Sequence, residues 1–154
     1  MANRHLSRTV AVQALYEWDF RREDSVREIA LRGIEVFVNE VDAGFIYSIV
    51  EGVVENLDKL DETIAQYAPE WPLEQIAVID KTLLRAAAYE LLYLADAPPK
   101  VVINESVELA KTFGGENSAK FLNGVLGTMY RTNPKFEAEN KESLTTLEEL
   151  SDEQ

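Results

Sequence analysis

The 154 residues are 46% apolar and include no cysteine, which leaves ample material for a core and excludes disulfides, thiolate metal sites and cysteine nucleophiles. The formal net charge is −13, which opposes nucleic-acid binding unless positive charge is gathered locally. It is gathered: residues 1–16 hold Arg4, His5 and Arg8 and no acid, whereas residues 134–154 hold seven acids against Lys135 and Lys141. No apolar h-region follows the first residues, and no apolar run approaches the roughly 18 residues of a membrane span. The composition thus predicts a soluble, cytoplasmic protein with no membrane partner.

Apolar residues recur at helical spacing along nearly the whole chain, and no segment alternates like a strand. Asn3 is placed to cap a first helix that runs to about Arg22, with Leu6, Val10, Ala11, Ala14, Leu15 and Trp18 on its core stripe. Arg4, His5, Arg8, Val12 and Tyr16 fall on an adjacent face, predicted to be basic, aromatic and exposed. Ser25-Val26-Arg27-Glu28 is a capping box for a second helix. Asp42 caps a third, with apolar residues in register from Phe45 to Ile64. Pro69 and Pro72 flank Trp71 and break the chain.

This break divides the sequence into an N-terminal bundle, 1–68, and a C-terminal bundle, 69–133. The second begins with a short turn near Leu73–Ala77. Asp80 heads a helix through Leu83, Leu84, Ala87, Leu91 and Leu92. Pro98-Pro99 opens another, carrying Val102, Ile103, Val107, Ala110 and Phe113 inward, with Gly114-Gly115 as its stop. Ser118 is placed to cap the last helix, with Phe121, Leu122, Val125, Leu126 and Met129. Residues 134–154 read as an acidic, disordered tail. The prediction is an all-α fold of about seven helices in two small bundles packed side by side.

Chemistry has little to work with. The sole histidine, His5, sits at the N-terminal edge, so neither a Ser-His-Asp triad nor a zinc site is expected. No P-loop occurs, and carboxylate pairs such as Glu105 and Glu108 are not marked as an acid and a base. No catalytic residue, metal or cofactor is predicted. A binding constellation remains. Arginine contacts phosphates, and a ring such as Tyr16 offers a platform for unpaired bases. Tyr16 also fits a half-buried place at a helix seam, and both readings stand at this point. A positive charge in a first helical turn costs about 0.3–1 kcal/mol against the macrodipole, which favours an anion at that end.

Four segments in order resemble the family of transcription antitermination factors called NusB. They are Arg4-His5-Leu6-Ser7-Arg8 with Ala11-Val12-Gln13-Ala14-Leu15-Tyr16; Leu84-Arg85-Ala86-Ala87-Ala88-Tyr89-Glu90-Leu91; Pro99-Lys100 through Ile103-Asn104-Glu105 to Ala110-Lys111; and Ser118-Ala119-Lys120-Phe121-Leu122-Asn123-Gly124-Val125-Leu126. The resemblance implies binding of boxA-type single-stranded RNA together with the ribosomal protein NusE, in complexes that keep RNA polymerase resistant to termination. It implies an RNA surface of Arg4, His5, Arg8, Gln13 and Tyr16, joined by Lys120 and Phe121, and places Asp80 and Arg85 near the protein partner. His5 stands where the family is often basic, and Asn117 where it is commonly acidic. Two other readings are a helical protein–protein module without RNA binding and a solitary domain of the kind that begins some RNA methyltransferases.

Overall fold

The computed structural model describes residues 2–141. Seven α-helices lie wholly among them: α1 Arg4–Phe20, α2 Val26–Val36, α3 Ala43–Glu55, α4 Leu57–Tyr67, α5 Val78–Tyr89, α6 Pro99–Phe113 and α7 Glu116–Thr132; residues 137–141 are helical as well, and no strand occurs among the described residues. Three of the four predicted caps form. The Leu6 N–H donates to Asn3 Oδ1 at 3.0 Å, that of Glu28 to Ser25 Oγ at 3.4 Å, and that of Phe45 to Asp42 Oδ1 at 3.1 Å.

Two predicted boundaries move. The third helix is not continuous. Asn56 leaves helical geometry at φ −113° and ψ 21°, and its side-chain amide donates to the Gly52 carbonyl at 2.8 Å. Asparagine competes for backbone groups in this way, and α4 restarts at Leu57. The last helix begins at Glu116, ahead of Ser118, because Gly115 at φ 98° turns the chain into the helix. Ser118 therefore lies inside the first turn and is not its cap.

α1, α2 and α3 pack on one another, whereas α4 packs on α5 and α7 more than on α3. The first group thus ends at Asn56, ahead of the Pro69 break read from sequence. One continuous core joins the two groups: Ile46 and Ile49 of α3, Leu60 and Ile64 of α4, Leu83 and Leu84 of α5, and Leu122 and Met129 of α7 are all fully buried. α5 is central and touches α1, α3, α4, α6 and α7. Gly52 permits this, since a Cβ there would lie 2.0 Å from the Tyr89 ring.

After Tyr89 the helix continues as a π-turn, Glu90–Leu94, closed by the Ala95 N–H donating to the Glu90 carbonyl at 2.8 Å. The start of the expected tail docks here. Phe136 is buried against Tyr130, and Lys135 Nζ donates to the Leu92 carbonyl at 2.9 Å. The remainder of that tail, 142–154, lies outside the described residues.

Candidate nucleic-acid interface

The basic start of α1 splits into two environments. Arg4 and His5 are at the surface. Arg4 donates to Asp96 at 2.9 Å, lies 3.9 Å from Asp42, and spreads its guanidinium over the Phe45 ring at 4.0 Å. His5 Nδ1 is 2.6 Å from a Glu105 carboxylate oxygen. Arg8 corrects the sequence reading, which put it on the exposed face. It is only 5% exposed and makes a two-pronged pair with the equally buried Glu90: Nε to Oε2 at 2.9 Å and Nη2 to Oε1 at 2.9 Å. Arg8 lies three residues before Ala11 and seven before Leu15, on the edge of the core stripe, so α5 covers it.

Further along α1, Gln13 and Tyr16 line a groove of about 620 Å³ between α1, the start of α5 at Ile79 and the end of α6 at Phe113. Tyr16 is 40% exposed and meets Phe20 edge-on at 5.1 Å, so it is presented to this groove and is not a seam residue. Phe20 and Phe113 are exposed here as well. Sequence periodicity assigned Phe113 to the core. Its place as the last residue of α6, next to Gly114, carries it past the core.

Lys120 and Phe121 form the next part. Phe121 is half-buried and meets Trp71 edge-on at 6.3 Å. The two rings border two hollows. One, of about 320 Å³, includes Asp80, Asn117 and Ser118; the other, of about 460 Å³, includes Lys120, Gly124 and Thr128. Ile79 lines the α1 groove and its neighbour Asp80 the first hollow, so both concavities border the head of α5, and Trp71 and Phe121 are shared by the two hollows. Oδ1 of Asp80 is buried with no hydrogen-bond partner. The structure therefore groups Asp80 with Phe121.

Arg85, the other residue that the resemblance places near a protein partner, is 5% exposed. Its Nε and Nη2 hold Asp61 at 2.8 and 3.0 Å, and Nη1 lies 3.5 Å from Asp19. It ties α1, α4 and α5 together and offers no surface. Burial works against the charge of both Asp19 and Arg85. For Asp19, the hydrogen bond from Arg22 and the charges of Arg22, Arg85 and Lys81 prevail and hold the carboxyl below its ordinary 3.8. For Arg85, Asp61 and Asp19 prevail and raise it. A lone charge inside an apolar run, as in Leu83-Leu84-Arg85-Ala86 or Tyr89-Glu90-Leu91, was the sequence signal for both buried pairs.

Among the described residues, no group of three or more His, Cys, Asp or Glu is placed to hold a metal, and no helix is long and apolar enough to cross a membrane. The features define a class: an all-helical protein of two packed bundles, with a surface of basic and aromatic side chains.

The chain belongs to the NusB family, whose model matches residues 5–131. The transcription antitermination protein NusB of Dehalococcoides mccartyi is 42% identical over 127 residues, 82% of this chain and 89% of that protein. That of Bacillus cereus is 40% identical over 134 residues, 84% and 98% of the two chains. The solved structure of T. maritima NusB superposes with a TM-score of 0.79 at 33% identity, over 90% of this chain and 99% of that one. A crystal structure of the antitermination factors NusB and NusE in complex with dsRNA superposes at 0.74 with 25% identity, over 82% and 95%.

Proposed function

We propose that this chain is a transcription antitermination factor that binds boxA-type single-stranded RNA together with NusE and helps RNA polymerase resist termination. It acts in the cytoplasm and catalyses no reaction. The observation that carries this reading is the surface position of Arg4 and His5, in the acid-free stretch, on the helix that also presents Tyr16 to an aromatic groove. A solved assembly of the related factors NusB and NusE with dsRNA supports RNA and NusE as partners, and the preference for an unpaired strand rests on the exposed rings alone. An unpaired strand suits this surface, because exposed rings stack only on bases freed from a duplex.

Arg4, His5 and Lys120 meet phosphates, Gln13 meets a base edge, and Tyr16 and Phe121 stack. Arg8 serves this site from below by fixing the start of α1. Asp80 contributes an acceptor in the first hollow, and Arg85 acts only by holding α1 against α4 and α5. A second reading, a protein–protein module, draws on the fact that Arg4, His5 and Arg8 each already face a carboxylate.

A fluorescence-anisotropy titration with labelled boxA-type RNA separates the two. Binding should be weak for the protein alone, since few cations face the strand, and severalfold tighter with NusE. Duplex RNA of the same sequence should compete poorly. Absence of binding with or without NusE would leave the protein–protein module.

A further inference from the structure

Trp71 borders both hollows beside Phe121 but has no role in the function proposed above. It lies outside every helix, between Pro69 and Pro72. Prolines on both sides restrict the backbone, so little entropy remains to be lost if the ring takes part in binding. The ring is 53% exposed. Its single ring contact is the edge-on meeting with Phe121 among the described aromatic pairs, an arrangement that leaves ring faces open.

What surrounds it is polar in a particular way. On one side, the hollow shared with Phe121 holds the buried, unpartnered Oδ1 of Asp80 and the exposed Asn117. On the other side stand Lys120 and Gly124, and a Cβ on Gly124 would meet nothing within 4 Å. An aromatic face, the exposed amide of Asn117 and a nearby ammonium match the three parts of a nucleotide: the flat base, its polar edge and its phosphate.

We propose that Trp71 is a further RNA-contacting residue, which stacks on an unpaired base whose edge faces the exposed Asn117 while Lys120 meets the adjoining phosphate. The inference rests on the RNA-binding reading and extends its surface from α7 onto the loop between α4 and α5.

The protein's own fluorescence tests it. There are two tryptophans, and Trp18 is only 7% exposed, so a ligand-dependent change in emission reports Trp71. Titration with boxA-type RNA, alongside NusE, should quench that emission with the same midpoint as the anisotropy of labelled RNA. Trp71→Phe should bind nearly as well but lose the quenching. Trp71→Ala should keep the parent melting temperature and bind roughly five- to a hundredfold more weakly, the worth of one base–aromatic stack, with an unchanged salt slope. RNA binding seen by anisotropy with emission unaltered, or a Trp71→Ala protein that binds like the parent, overturns the proposal and leaves the RNA-binding reading intact. A parent protein that binds no RNA overturns both.

Discussion

Arg8 and Arg4 are one helical turn apart and of the same chemistry, yet the fold gives them opposite work. Removing the Arg8 guanidinium strands the Glu90 carboxylate in the interior, which costs about 3–5 kcal/mol when one partner of a buried pair is lost. Arg8→Ala should therefore lower the melting temperature sharply, and Arg8→Met with Glu90→Leu should recover much of the loss. Arg4→Ala should leave stability within about 0.5 kcal/mol. It should weaken RNA binding and reduce the slope of log K against log salt by about 0.7, one single-strand phosphate contact; a variant with parental affinity and slope would remove Arg4 from the site. The motif singled out both arginines. It could not show which is buried, because their partners, Asp96 and Glu90, lie 92 and 82 residues away. Asp19 adds a pH dependence. Its folded pKa is depressed below 3.8, so its contribution is complete above that value and is lost as pH falls through the folded pKa. Asp19→Asn should flatten the acid limb of a stability–pH curve; an unchanged limb would mean other carboxylates govern it.

Among elements, helix starts were legible and helix breaks less so. Asn3, Ser25 and Asp42 act through neighbours three residues on, a distance that the sequence displays directly. The interruption at Asn56 interrupts no apolar register and is invisible to periodicity, which is also why the packing of α4 on α5 and α7 could not be read from the sequence. The approach of α3 to α5 was hidden for a related reason: Gly52 reads as an ordinary helical glycine until Tyr89 arrives from the other half. Gly52→Ala should be destabilising by about 1–3 kcal/mol, as for other overpacked sites, despite its better helix propensity. A denaturant midpoint at or above the parental value would show that Tyr89 can step aside. For the proposed site, the α1 residues could be grouped from the sequence because they share one helix, although the burial of Arg8 could not be foreseen. Asp80, Phe113 and Trp71 could not be grouped in this way, since the heads of α5 and α7 and the end of α6 converge only in three dimensions.

Across the whole molecule, charge is segregated, so RNA affinity should fall with salt even though the net charge is −13. The slope should stay near two or below, given that Arg4, His5 and Lys120 are the cations assigned to phosphates.

The central position of α5 reaches beyond stability. A chain cut at the exposed loop between Pro69 and Pro72 would separate α4 from the α5 and α7 surfaces it packs on, and α1 from Arg85 of α5 and Glu90 of the π-turn that follows it. Neither fragment could bury its own apolar residues. The two expressed apart should be largely unfolded, and mixed together they should recover helicity and RNA binding. Such reconstitution would make this protein a split reporter, in which two silent pieces regain a binding surface only when brought together.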